Sequence, residues 1–455
     1  MRSLWRFLQR NVAILLLIQA LLSITIGVLA GKVEAQQFPV SRHILKNGLT
    51  VLISEDHSLP VACFCIFFRV GSRNERPGIT GISHLLEHLR FSCGTEKFAP
   101  QQFDRIIEAA GGYTNGGTTK DYTLYYEEFV SSALEKVLEL EADRMRALKI
   151  DPAIFSREVQ VVTEERLTST DNDVYGTISE QLFANTYLAH PYRWPVIGWM
   201  GDLKALSLDE VKAYMTIYYA PNNAVALLVG DVNEVSSLAL IEKYFSDIPS
   251  QAAPPPVVNA EPAQRGERRV WVKKEAELPA AMIAYWGPPA KEEEDLYPLS
   301  LLETILSEGE SSRIYRELIY EQQIATSAWA NLFEAIDPGR FCFYTQMKPG
   351  HEAKEGEEAL NRILTEIQEK GVAPEELQKA KNMAQAAFIQ GVEGNGSRAR
   401  MLGYYEVLWG DCQELFRILD RLNRVSIQDI QRVARTYFDP DRRTILTLVP
   451  VKGVR

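Results

Sequence analysis

Ser207-Leu-Asp-Glu-Val-Lys-Ala-Tyr214 leads to Pro221 and then to an apolar run. The same pattern returns near the carboxyl terminus of the 455-residue chain, as Ser426-Ile-Gln-Asp-Ile-Gln-Arg-Val433 followed by Pro440 and a second apolar run. In both copies 14 positions separate the first serine from the proline. Each copy predicts a serine-capped helix, a proline turn and a strand. Agreement over this length indicates an internal duplication.

A proline-rich segment separates the two copies. Residues 251–262 contain three consecutive prolines, which favour an extended, semi-rigid spacer. The sequence therefore predicts an N-terminal domain over residues 38–250, a linker over residues 251–262 and a homologous C-terminal domain over residues 263–455.

Strands and long amphipathic helices occur in runs within each half. In the first half the pattern predicts strands at residues 50–54 and 61–70 and helices at residues 103–110, 131–148 and 152–167. Such runs favour an α+β fold, in which helices pack on one face of a mixed or antiparallel sheet.

The composition excludes several classes of protein. Hydrophobic residues make up 46% and charged residues 24%, so the chain is an ordinary globular protein rather than a disordered or fibrous one. With 49 basic and 60 acidic side chains the net charge is −11, which argues against nucleic acid as a partner. Five cysteines without a C-x-x-C pair are too few for a disulfide scaffold, so buried thiols are expected.

Residues 1–35 have the features of an export signal. Three arginines and no acidic residue precede a nearly unbroken apolar run over residues 12–30, and a Val-x-Ala step follows at Val33. This pattern is typical of a secretory signal peptide, and an uncleaved N-terminal membrane anchor is the alternative because the run is long. The body of the protein is therefore expected outside the cytoplasm, for instance in the periplasm.

The segment His84-Leu-Leu-Glu87-His88 has the pattern H-x-x-E-H. On a helix, side chains four positions apart project from one face, so the two imidazoles can share a metal ion. Neutral imidazoles suit Zn²⁺. Glu87 lies on the same side, where it can take a proton from the attacking water rather than bind the metal. The alternative is an amphipathic helix whose polar residues are incidental.

A third metal ligand is expected from the acidic helix over residues 152–167. Glu158 and Glu165 are seven positions apart, or two turns, and therefore share a face. Glu164 is turned about 100° from that face, and a solvated surface position is the preferred interpretation for it. Two histidines, one carboxylate and a water would make an open, catalytic zinc site.

Together these motifs resemble the inverzincin metallopeptidases of the pitrilysin and mitochondrial-processing-peptidase type, in the smaller bacterial two-domain branch. The inverted H-x-x-E-H pattern is the signature of that group. The likeness covers most of residues 40–450 and includes Leu45-Lys-Asn-Gly-Leu-Thr-Val51, Gly111-Gly-Tyr-Thr-Asn115, Glu141-Ala-Asp-Arg144, His190-Pro-Tyr-Arg-Trp-Pro195 and Tyr219-Ala-Pro-Asn-Asn223.

The resemblance implies a zinc endopeptidase whose two homologous halves form a clamshell over an unfolded peptide. Family members place the third ligand about 75–80 residues after the second histidine. Glu165 follows His88 by 77 positions, so the resemblance selects Glu165 over Glu164 as the ligand. It also implies that Glu158 supports the catalytic site without binding the metal.

The resemblance assigns roles to two further residues. Glu87 is implied to take a proton from water and later to deliver it to the leaving amine. Asn115 lies where the edge strand of family members pairs with the substrate backbone, a mode of binding that makes little demand on substrate sequence. The alternative for Asn115 is a turn-forming residue beside two glycines.

The chain departs from the family pattern in two places. Residues 91–95 make the segment after the motif one residue longer than usual, which leaves the ligands unaffected. Active members also carry an Arg and a Tyr, seven positions apart in the second half, that hold the substrate carbonyl. Here those positions are Ile319 and Thr326, so an electrostatic contribution to the transition state is missing. Arg316 or Tyr320 would substitute only after a shift in register.

The missing pair implies a homologous partner subunit. Bacterial relatives come as pairs, in which one chain carries the metal motif and the other the Arg/Tyr pair, so a heterodimer acting on unfolded polypeptides or peptides is expected. The alternatives are a non-catalytic, peptide-binding or scaffold subunit of the same superfamily and a zinc hydrolase of non-peptide substrates. The intact motif argues against a scaffold, which has no need of His84, Glu87, His88 and Glu165.

Overall fold

The computed structural model describes residues 38–257 and 260–451. The predicted signal peptide or anchor at residues 1–35 lies outside these residues. Among the helices that are described, none combines the length and the apolar character that crossing a membrane requires.

Six strands form the sheet of the first half: β1 (Ser41–Ile44), β2 (Thr50–Glu55), β3 (Val61–Phe68), β4 (Tyr113–Thr118), β5 (Thr123–Val130) and β6 (Ala224–Gly230). Their order across the sheet is β1-β2-β6-β3-β5-β4. Strands β2 and β6 run parallel, and the other neighbours run antiparallel. Strand β4 therefore lies at one edge of the sheet.

The described part of the first half also contains eight α-helices: α1 (Ile82–Ser92), α2 (Gln102–Ala109), α3 (Leu134–Ala147), α4 (Pro152–Arg166), α5 (Val174–Thr186), α6 (Met200–Ala205), α7 (Leu208–Tyr218) and α8 (Glu234–Phe245). A π-helical turn, Leu167–Asp171, continues α4. The helices predicted at residues 103–110, 131–148 and 152–167 correspond to α2, α3 and α4, and no boundary differs by more than three residues.

The second half contains the strands β7 (Arg268–Glu275), β8 (Ala280–Trp286), β9 (Ala325–Phe333), β10 (Arg340–Met347) and β11 (Arg443–Val451). It also contains the helices α9 (Glu293–Ser307), α10 (Ala353–Lys370), α11 (Pro374–Glu393), α12 (Asn395–Leu408), α13 (Ile418–Arg424) and α14 (Ile427–Tyr437). The strand order is β7-β11-β8-β10-β9, and β7 and β11 run parallel. A π-helical segment, Tyr315–Glu321, precedes β9.

The two sheets share one topology. The order β2-β6-β3-β5-β4 matches β7-β11-β8-β10-β9 strand by strand, and the parallel pair falls at the same place in each. The helices α7 and α14 begin with the same capping box, in which Ser207 and Ser426 accept from the backbone N–H three positions on. The predicted duplication therefore appears as two like sheets, and the α+β class is confirmed; the domain boundaries stay a prediction.

Each sheet is also covered by a helix from the other half. Helix α12 packs on β3 and β6, where Gly403 leaves room for the ring of Phe67. Conversely, Ile178 and Leu182 of α5 pack against Ala280, Met282 and the strand β11. The sequence predicts helices on one sheet face only, so this reciprocal packing is an addition to the expected architecture.

The five cysteines are buried and unbridged. This agrees with the expectation of structural thiols, since burial raises the pKa of Cys63 and Cys65 well above the usual range and keeps both thiols protonated.

Candidate metal centre

Helix α1, which carries the H-x-x-E-H motif, is fixed at its first turn by a buried carboxylate. Glu75 accepts hydrogen bonds from the backbone N–H groups of Gly81 and Ser83, at 2.9 Å each. Burial raises the pKa of Glu75 to about 8, and these hydrogen bonds oppose that rise. Gly81 has φ +89°, and a Cβ there would lie 2.5 Å from the carbonyl oxygen of Ile197. The start of α1 therefore tolerates no side chain at this glycine.

One face of α1 is buried in the hydrophobic core, so the opposite face is free to carry chemistry. Leu85, Leu86 and Leu89 are fully buried, whereas His84 and His88 are only partly buried. The two imidazole rings lie side by side, with centroids 4.7 Å apart. This is the spacing that residues four positions apart on a helix provide.

Helix α4 packs against α1 and presents its acidic face to the two histidines. Asp151 caps its N-terminus by accepting from two backbone N–H groups, and Pro152 occupies the first turn. At its other end the Arg166 guanidinium donates to Glu180 at 2.7 Å and to the Gly198 carbonyl at 2.7 Å. Both ends of α4 are therefore fixed, which sets the position of its glutamates.

The structure brings His84, His88 and Glu165 together. His84 Nε2 lies 3.7 Å from Glu165 Oε1, and His88 Nε2 lies 3.3 Å from Glu165 Oε2. One donor atom from each residue can be chosen so that all three lie within 4.8 Å of one another, and no other such group was found among the described residues. The proposed ligands thus converge from two helices.

The electrostatics of the site favour the ligand forms of His84 and Glu165. Burial lowers the pKa of His84 to about 4, so this imidazole is neutral at physiological pH and its lone pair is available. The hydrogen bond from His88 lowers the pKa of Glu165, which stays ionised. For His88, burial lowers the pKa, but Glu165 together with the charges of Glu87 and Glu158 raises it overall, so a metal ion would have to displace a proton from this ring. Two imidazoles and a carboxylate are ligands suited to Zn²⁺.

Two nitrogen–oxygen distances, measured to different oxygens of Glu165, are close to those between ligands of a zinc ion. Atoms about 2.0–2.1 Å from a tetrahedral zinc ion lie about 3.3–3.4 Å from each other. The observed separations of 3.3 and 3.7 Å between imidazole nitrogen and carboxylate oxygen are close to that value. In addition, the buried Nδ1 atom of His84 has no hydrogen-bond partner in the described part of the chain, so no neighbour fixes this ring through that atom.

Glu87 lies on the same helix and is held by a hydrogen bond from the edge strand. The hydroxyl of Thr118, at the end of β4, donates to Glu87 Oε2 at 2.6 Å. Burial raises the pKa of Glu87, and the hydrogen bond from Thr118 opposes that rise. A carboxylate whose pKa is raised toward neutrality is suited to general-base chemistry.

Glu158 lies behind His88 rather than among the converging donor atoms. Its Oε2 is 3.6 Å from His88 Nδ1, the ring nitrogen that faces away from Glu165. Its Oε1 accepts two hydrogen bonds from Arg157, at 3.0 and 3.1 Å. Glu158 is buried, so this carboxylate is placed to orient the imidazole of His88.

Replacing Glu158 by Gln is expected to weaken zinc binding by about 10–100-fold, because the amide no longer holds His88 by charge. Competition with a chromogenic chelator measures the dissociation constant. Glu164→Gln is the matched control, since Glu164 is exposed on the same helix. Equal affinities of the two variants would show that Glu158 does not support the site.

The remaining predicted residues, Asn115, Ile319 and Thr326, are not among the three converging side chains. Asn115 is exposed on the edge strand β4, and its side chain accepts from the N–H of Gly116, as a turn-forming residue also would. Thr326 lies at the start of β9 and donates to the Gln346 carbonyl at 3.1 Å. Ile319 lies in the π-helical segment before β9. Their roles stay predictions.

The structure adds two residues that the sequence analysis did not single out. Glu75 is six positions before Gly81, too far for a local capping pattern, so no sequence signal marks it. For Thr118 the sequence offers only a weak signal: strand alternation places it on the same face of β4 as Gly116. Only the packing of that face against α1 shows that the hydroxyl meets Glu87.

A helix-borne H-x-x-E-H motif with a third carboxylate on a neighbouring helix, set in duplicated α+β halves, is the arrangement of inverzincin-type metallopeptidases. The family profile described as "Insulinase (Peptidase family M16)" matches residues 50–198, and that described as "Peptidase M16 inactive domain" matches residues 205–384. The chain belongs to the M16 peptidase family.

Individual relatives agree with this assignment. The chain is 31% identical to the zinc protease PqqE of Helicobacter pylori, over 94% of this chain and 97% of that protein. It is 24% identical to the mitochondrial-processing peptidase subunit beta of Lentinula edodes, over 86% of each chain. The crystal structure of a protease from Helicobacter pylori is also 31% identical and covers 91% of this chain and all of its own, with a TM-score of 0.88.

Proposed function

We propose that this chain is a zinc-dependent endopeptidase that hydrolyses unfolded polypeptides or peptides. The observation that carries the proposal is the convergence of His84, His88 and Glu165 within 4.8 Å, with Glu87 on the same helix as the two histidines. Relatives are named zinc proteases, which supports the choice of metal and the class of reaction.

Each side chain has a defined task in this proposal. His84, His88 and Glu165 would hold Zn²⁺, which when bound polarises a carbonyl and acidifies water. Glu87 removes a proton from the attacking water and returns it to the leaving amine. Glu158 orients His88. The edge strand β4, with Asn115, binds the peptide backbone as an added strand, which explains why extended, unfolded substrates are expected.

Zinc analysis tests the proposal directly. The wild-type chain should contain about one zinc ion, and His84→Ala should lose both the zinc and the hydrolysis of unfolded peptides, because two ligands do not replace three. His57→Ala is the control, since His57 is an exposed surface histidine paired with Asp231. A correctly folded wild-type protein that binds no zinc would contradict the proposal.

The place of action and the partner are further parts of this proposal. The signal-like sequence of residues 1–35 supports export to the periplasm or an equivalent compartment, with or without a retained anchor. Ile319 and Thr326 support a requirement for a homologous second subunit that contributes the Arg/Tyr pair.

A second candidate is a non-catalytic, peptide-binding subunit. It is favoured by the same replacement of the Arg/Tyr pair, and by the match of residues 205–384 to a profile described as inactive. The convergence of His84, His88 and Glu165 argues against it. A chain that binds zinc and yet never hydrolyses peptides, even with a homologous partner present, would support this second candidate.

A further inference from the structure

The edge strand β4 packs against the motif helix α1, and residues on one face of the strand meet residues on one face of the helix. Strand alternation places Gly116 and Thr118 on one face of β4, and Glu87 and Phe91 are four positions apart on one face of α1. A Cβ at Gly116 would lie 2.9 Å from the ring of Phe91, so the glycine allows the close approach of strand and helix. Two positions further along the strand, the Thr118 hydroxyl meets the Glu87 carboxylate.

This hydrogen bond leaves the two oxygens of Glu87 in different states. Thr118 Oγ1 donates to Oε2 at 2.6 Å, a short distance typical of a hydroxyl bound to a carboxylate. The backbone N–H of Thr118 also interacts with this carboxylate, and Thr118 is the only described side chain that donates to it, so Oε1 keeps acceptor capacity for water. A glutamate side chain has several rotatable bonds, and general-base catalysis needs it within hydrogen-bond reach of the water.

We infer that Thr118 is a positioning residue for Glu87: its hydroxyl fixes Oε2 and thereby directs Oε1 to the water that attacks the peptide bond. The inference rests on the proposed function. Because Thr118 belongs to the edge strand along which the peptide is proposed to lie, the same strand sets the register of the substrate and the position of the base. A shift of this strand would therefore misplace both groups together.

The test compares Thr118→Val, which keeps the shape of the side chain and removes the donor, with Thr118→Ser, which keeps the hydroxyl. The zinc-loaded full chain is assayed with its homologous partner on fluorescently labelled, unfolded casein. Thr118→Val should lower kcat by about 10–100-fold with little change in KM, and Thr118→Ser should restore most of the rate. Thr216→Val is the control, because Thr216 is exposed on α7 and its hydroxyl donates to the Lys212 carbonyl instead.

Two measurements separate this inference from the proposed function. Zinc content should equal that of the wild type in every variant, and crystal structures should show the Glu87 carboxylate displaced in Thr118→Val but not in Thr118→Ser. If the wild type hydrolyses nothing, the proposed function fails, and the crystal structures still decide the inference. A Thr118→Val variant with an undisplaced Glu87, or with the wild-type kcat, would overturn it.

Discussion

Replacing Glu87 by Gln is expected to reduce peptide hydrolysis by about 10³-fold or more while leaving one zinc ion bound. The amide has nearly the same shape as the carboxylate but accepts no proton, so the general-base step is lost. The metal is retained because Glu87 is not one of the three converging ligands. The measurement pairs kcat on unfolded casein with zinc content on the same preparation.

Two comparisons make this result specific. Glu164→Gln carries the same chemical change at an exposed position and should keep the wild-type rate. Adding Thr118→Val to Glu87→Gln should lower the rate little further, because the hydrogen bond no longer has a base to position. Retained turnover in Glu87→Gln would mean that another group removes the proton.

The second large effect concerns the partner subunit. The purified, zinc-loaded chain is expected to hydrolyse peptides at a rate close to background, and a homologous chain that carries the Arg/Tyr pair should raise that rate by about 10²–10³-fold. The physical reason is that the side chain of Ile319 has no hydrogen-bond donor and that the hydroxyl of Thr326 already donates to Gln346. The developing charge on the substrate carbonyl therefore lacks a donor from this chain's aligned positions.

The controls address the two residues that could replace the missing pair. Arg316 lies beside Glu321 at 3.4 Å, and Tyr320 is 72% exposed. Arg316→Ala and Tyr320→Phe should therefore leave the rate of the two-chain assembly unchanged. A partner in which the Arg is replaced by Ala should fail to activate. Full turnover by the isolated chain would remove the need for a second subunit.

Much of the fold could be predicted because its signals are local. Helices α7 and α14 have serine caps followed by an acidic residue three positions later, and both capping boxes form. By contrast, Ile178 and Leu182 give α5 an apolar face but do not say which sheet that face covers. The partner surface lies about 100 or more positions away, on β8 and β11, and no local pattern encodes such a contact.

The candidate site likewise has some features that local sequence patterns predict and others that depend on tertiary packing. Helical periodicity alone places His84 beside His88 and Glu158 on the face of Glu165, and the structure brings these side chains near one another. Periodicity does not say which glutamate binds the metal, and only the resemblance to the metallopeptidase family selects Glu165. The contact of Thr118 with Glu87 depends on how an edge strand meets a helix, which sequence spacing does not reveal.

The reciprocal packing of α5 and α12 bears on how a peptide reaches the site. A hinge between the halves would have to break two helix–sheet contacts at once, since each half keeps a helix of the other against its sheet. Opening such a hinge would expose the apolar faces of both sheets to water, which costs more free energy than separating two subunits that are already folded. We therefore expect the two halves to move together, so that the departure and return of the proposed partner subunit would open the site while both cores stay intact.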